Sequence, residues 1–99
     1  MIRGTTPTHI FTIPFETDLI KDVRVIYAQN SVVVVQKNIS SCKLGDHELS
    51  VSLSQEETLK FDCTRPVEIQ LKINMVDTSV VASNIMLVDV GKVLSDEVM

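Results

Sequence analysis

The sequence predicts an all-β chain, a single antiparallel β-sandwich of about seven strands with one short helical turn near residues 54–58. Two segments carry that expectation. Leu49, Val51 and Leu53 alternate with Ser50, Ser52 and Ser54, and Val67, Ile69, Leu71, Ile73 and Met75 alternate with Glu68, Gln70, Lys72 and Asn74. Strict alternation places all the apolar side chains of a strand on one face. Between them, Ser54-Gln55-Glu56-Glu57 has the form of a capping box, so one helical turn links the two strands. No alternation of strand and long helix occurs, which argues against a parallel α/β fold.

Taken in order, residues 1–7 read as a flexible polar leader ending in proline, and the sandwich proper as residues 8–94. The first strand spans 8–15 with Phe11, Ile13 and Phe15 on one face. Pro14 cannot donate to a ladder, so this strand belongs at an edge. After a turn or crossover at 16–20, the second strand covers 21–29, with Val23, Val25 and Tyr27 inward and Ile26 a misfit on the outer face. Asn30-Ser31 is spaced as a tight hairpin turn, and residues 32–38 return. Its four consecutive valines imply a strand covered on both faces or one with an apolar outer side awaiting a partner. A further hairpin joins 42–44 to 48–53 through Gly45-Asp46-His47. The helical turn then drops Leu59 and Phe61 into the core, residues 62–66 make a corner, and strands follow at 67–75 and 80–90. Residues 95–99 read as a flexible tail.

Composition narrows the function classes. The net charge is -4, and the lysines and arginines are scattered singly, so no positive patch suits nucleic acid. With one tyrosine and no tryptophan, no aromatic platform for bases or sugars is expected. The opening residues lack the apolar region of a signal peptide, and no apolar run exceeds four residues, too short for a membrane span. The chain is therefore expected to fold in the cytoplasm. In that compartment Cys42 and Cys63 read as free thiols acting as small hydrophobes, and the Asn38-Ile39-Ser40 sequon as a chance tripeptide.

Catalytic and metal-binding patterns are weak. His9 and His47 are the only histidines, and Asp46-His47-Glu48 reads as a solvated hairpin end because adjacent strand residues point to opposite faces. The serines at 50–54 are the polar side of a strand, no Gly-x-Ser-x-Gly elbow occurs, and Glu56-Glu57 suits the positive end of a short helix. Three glycines cannot build a phosphate cradle. Neither a cofactor nor enzymatic activity is expected. What remains is surface. Ile26, Val32, Val33, Val34, Val35, Val76, Val80 and Val81 exceed what a minimal sandwich needs inside, so they either form an interaction surface or belong to the core.

Several segments also resemble small, mostly uncharacterised proteins from the structural gene clusters of prophages in Gram-positive bacteria of the Firmicutes type. They are Gly4-Thr5-Thr6-Pro7-Thr8-His9, Ile26-Tyr27-Ala28-Gln29, the stretch from Leu53 to Phe61, Val67-Glu68-Ile69-Gln70-Leu71, Ser83-Asn84-Ile85 and Val90-Gly91-Lys92-Val93-Leu94 with Asp96-Glu97-Val98. The second half resembles, more loosely, the immunoglobulin-like N-terminal domain of phage upper-baseplate proteins. The resemblance implies an immunoglobulin-like sandwich and a place in a virion, in the tail, baseplate or neck. It supplies no catalytic residues. It departs from the antibody pattern in lacking a core tryptophan and cysteines on facing strands.

The expected function is thus a non-enzymatic virion component acting as a protein–protein assembly module. Its partners would be itself or other virion proteins, with neither nucleic acid nor membrane involved. It would be made in the host bacterial cytoplasm and carried into the particle. One alternative is a ligand- or carbohydrate-binding module of a tail tip, with Tyr27 as its only aromatic with a polar handle. Another is a small hydrolase using His9 or His47 as base.

Overall fold

In the computed structural model, residues 1–91 are described, and they form two antiparallel sheets facing each other. The expected end of the sandwich at 94 and the tail at 95–99 lie outside the described residues. The strands are β1 (Thr8–Thr12), β2 (Ile20–Gln29), β3 (Val32–Asn38), β4 (Cys42–Gly45), β5 (Glu48–Ser52), β6 (Val67–Met75), β7 (Val80–Ala82) and β8 (Met86–Val88), with one helical turn, α1 (Gln55–Leu59). One sheet has the order β1-β5-β4; the other runs β3-β2-β6-β7, with β8 also pairing β6. The fold is an all-β immunoglobulin-like sandwich. Among the described residues no helix is long and apolar enough to cross a membrane.

The core follows the period-2 pattern. Val23, Val25 and Tyr27 of β2 face Leu49 and Val51 of β5, and β6 contributes Val67, Ile69, Leu71 and Ile73, all buried. Each such side chain stabilises the fold by about 1.5–3 kcal/mol relative to exposure. Thr17–Leu19 and Ile39–Ser41, both single 3₁₀ turns, and α1 are the three points where the chain changes sheets. At α1 both bonds of the expected capping box form: Glu57 N–H donates to Ser54 Oγ (3.2 Å), and Ser54 N–H to Glu57 Oε1 (2.8 Å). Phe61 enters the core as expected, but Leu59 is half-buried and lies against Gly4.

The hairpin at Asn30-Ser31 has both residues at positive φ (52° and 64°), the twist a two-residue turn needs. Tyr27 pairs with Val35 and Ala28 with Val33, so Val34 is a bulge residue without a partner. That extra residue splits the valine run between faces. It turns Val35 into the core at 6% exposure, which removes it from the expected interaction surface, and leaves Val34 half-buried against the core.

Two further expectations differ from the structure. The strand expected over 80–90 is two short strands, because Ser83 takes over the ladder with its side chain. Leu71 N–H donates to Ser83 Oγ and Ser83 N–H to Leu71 O, both at 2.9 Å. Residues 1–7, read as a leader outside the domain, lie against it. Thr58 is fully buried, and its Oγ1 accepts from Gly4 N–H (2.9 Å) while sharing its proton between Thr5 O (2.9 Å) and Gln55 O (3.1 Å). Gly4 holds φ of +75° to make this approach. Arg3 donates to Leu59 O (2.9 Å), and Ile2 bridges Gly91 in parallel.

Candidate interaction face

The outer face of the five-stranded sheet is built by the out-facing halves of β2 and β6. In register, Arg24 lies opposite Lys72, Ile26 opposite Gln70 and Ala28 opposite Glu68. Because the Val34 bulge sets Val33 beside Ala28, and β8 sets Leu87 beside Glu68, one end of the face is apolar. There Ile26, Ala28, Val33 and Ile85 line a shallow trough of about 280 Å³ flanked by Glu68 and Gln70. Ile26 is shared with a neighbouring basin of about 400 Å³ bounded by Asp22, Arg24, Lys72, Asn74 and Val80. The face therefore grades along the strands from apolar to charged, with Arg24 and Lys72 beside Asp22 at the charged end.

Of the eight residues expected at an interaction surface, the structure brings Ile26, Val33 and Val80 onto this one face. Val81 is exposed but leans the other way, into a groove of about 240 Å³ between the sheets with Ile13, Phe15, Leu71 and Ile73. Val32 and Val76 are exposed where strands meet turns, Val32 following Ser31 and Val76 donating to Leu19 O. Val34 and Val35 turn toward the core. Ile85 and Leu87, 55% and 67% exposed, were missed. Their signal was the run Ile85-Met86-Leu87-Val88, in which both alternating faces are apolar although only Met86 and Val88 pack on the core.

The chemically active side chains are elsewhere. His9 of β1 reaches across the sandwich to Tyr27 of β2, with Nδ1 2.8 Å from the phenol oxygen, and Tyr27 stacks at a tilt on Phe61. Burial, helped by the positive amino terminus, lowers the His9 pKa below its ordinary 6.5. Burial also raises the Tyr27 phenol pKa, with Cys42 and Glu57 adding to the effect. Tyr27 is fully buried and so offers no surface to a sugar. Cys42 and Cys63 are both free thiols, as expected; Cys42 is half-buried, donates to Asn38 O and is raised by burial against the opposing pull of Lys37, while Cys63 is exposed at the corner. Lys37 Nζ lies 2.7 Å from Glu57 Oε2. His47 is exposed on its turn and contacts its neighbour Asp46 at 2.9 Å. Among the described residues, no group of three or more His, Cys, Asp or Glu is placed to hold a metal ion.

No family model matches the chain, and no curated protein matches it. Among solved structures it is similar to the immunoglobulin-like domain of mouse leukocyte-associated immunoglobulin-like receptor 1, described as a strand-swapped dimer. The TM-score is 0.55 at 14% identity, over 91% of this chain and 83% of that one. At that identity the likeness shows the fold, in agreement with the two-sheet arrangement above.

Proposed function

We propose that this chain is a non-enzymatic structural component of a bacterial-virus particle, in its tail, baseplate or neck, where it serves as a protein–protein assembly module. The observation that supports this most is the outer face of the five-stranded sheet. Ile26, Val33, Ile85 and Leu87 gather there beside a charged end, whereas scattered single apolar residues would need no explanation. The resemblance to prophage structural proteins supports the setting. The mouse receptor domain of like fold is a strand-swapped dimer, which favours self-association as one form of the assembly. In this reading the chain folds in the host cytoplasm and leaves with the particle, its partners being itself or other virion proteins. Mass spectrometry of particles purified after prophage induction is the test. The chain is expected at a fixed ratio to the tail proteins; its absence from intact particles overturns the proposal.

A further inference from the structure

We infer that a second copy of this chain covers the outer face of the five-stranded sheet, about a two-fold axis that runs across the strands over Ile26 and Gln70. Lys72 of each copy then meets the partner's Glu68. The inference rests on reading that face as the chain's interface, and it adds the partner and the geometry.

Charge selects the arrangement. Arg24 and Lys72 are direct neighbours in the ladder, both exposed, and among the described residues no carboxylate forms an ion pair with either. Like charges directly opposite on a sheet face are unfavourable, so this row favours an anionic partner. Glu68 lies on the same face of β6, four residues and about 13 Å from Lys72. Its Oε1 is held by Ser31 N–H at 2.8 Å, which fixes the carboxylate while leaving Oε2 to pair outward.

Beyond the Asp22–Asn74 row at the charged end, three rows cross the face in order: Arg24 with Lys72, Ile26 with Gln70, and Ala28 with Glu68. A two-fold axis along the middle row exchanges the outer rows and keeps each strand over its own copy. Lys72 then lies on the partner's Glu68 twice by symmetry, Arg24 on the partner's Ala28, and Ile26 on the partner's Ile26. The exposed Leu87 comes over the partner's Ala82, since β8 and β7 occupy the same edge of β6. An axis along the strands would instead stack Arg24 on the partner's Lys72 and bring four cations together. The same residues that repel within one copy therefore specify how two copies meet.

Sedimentation equilibrium of the full chain at rising concentration tests this, with circular dichroism as the check of folding. The chain is expected to dimerise, and Lys72→Glu or Glu68→Lys alone is expected to weaken the dimer by on the order of 100-fold, because each creates two like-charge contacts. An equimolar mixture of the two variants is expected to regain association, since each then supplies the charge that the other lacks. A monomeric unsubstituted chain, single variants that dimerise normally, or a mixture that stays monomeric each overturns the geometry. Should Glu68→Lys lose its fold with its Ser31 contact, added salt is the second measure: the unsubstituted dimer is expected to weaken, and a salt-independent dimer overturns the pairing. A monomer still found in particles would end this inference and spare the assembly role; a charge-paired dimer absent from particles would do the reverse.

Discussion

The side-chain amide of Gln29 pairs with the backbone of Asp62 as a neighbouring strand would. Asp62 N–H donates to Gln29 Oε1 at 2.8 Å, and Gln29 Nε2 donates to Asp62 O at 2.7 Å and to Arg65 O at 3.0 Å. Gln29 is buried at the end of β2, so one amide satisfies three backbone groups of the corner that leads into β6.

Gln29→Leu keeps the volume and removes all three bonds. Urea unfolding is expected to show a loss of roughly 2–4 kcal/mol, since buried backbone groups are left unpaired. Gln29→Glu is expected to be worse at neutral pH, where a carboxylate would face two carbonyl oxygens, and to recover as acid protonates it.

Thr58 holds residues 4 and 5 to α1 through a single hydroxyl. Thr58→Val is nearly isosteric and is expected to cost about 1–3 kcal/mol, while Thr58→Ser, which keeps the hydroxyl, should cost less. Hydrogen exchange at Gly4 N–H reads the local effect. Fast exchange in the Val variant with the rest of the sandwich protected is the expected result.

The His9–Tyr27 contact predicts opposite responses at the two ends of the pH scale. His9 has a lowered folded-state pKa, so the unfolded chain binds a proton first as pH falls below 6.5, and stability drops until the folded pKa is passed. Tyr27 has a raised one, so its contribution is whole below pH 10 and declines as the unfolded phenol ionises above it. Unfolding free energies measured across pH are expected to fall on both sides, with His9→Asn flattening the acid limb and Tyr27→Phe the alkaline one.

The cap of α1 is sensitive to acid as well. Burial alone would push the Glu57 pKa up, but the Lys37 ammonium and the Ser54 N–H outweigh it and leave the carboxyl below its ordinary 4.5. A carboxylate of this kind stabilises the fold above that value, and the benefit fades as pH falls through the lower folded-state value. Ser54→Ala is expected to cost about 1 kcal/mol at neutral pH. Glu57→Gln should reduce the acid sensitivity, because it keeps an acceptor and loses the charge; thermal melts at two pH values distinguish the variants.

Local signals made much of the fold legible. Alternation placed β2, β5 and β6, Asn30-Ser31 located a hairpin, and Ser54 with Glu57 predicted a cap whose two bonds both form. Features that depend on distant partners were hidden. Nothing near Val34 in the sequence announces a bulge, because it is defined by its pairing to Tyr27 and Ala28. Nor does Ser83 reveal that its hydroxyl stands in for a ladder carbonyl at Leu71. The candidate face was half-legible for the same reason. Ile26 stood out as an apolar residue on a polar stripe, while Ile85 became its neighbour, and Leu87 that of Glu68, only through the register of β8 on β6.

The hydroxyl of Thr58 also sets an order in time. Its partners Gly4 and Thr5 leave the ribosome more than fifty positions before it does. Their native bonds have no counterpart until α1 has been synthesised and closed, so residues 4 and 5 are fixed only after a segment made more than fifty positions later. During that interval residues 4 and 5 are available to proteases or chaperones, and a variant such as Thr58→Val would lengthen that exposure.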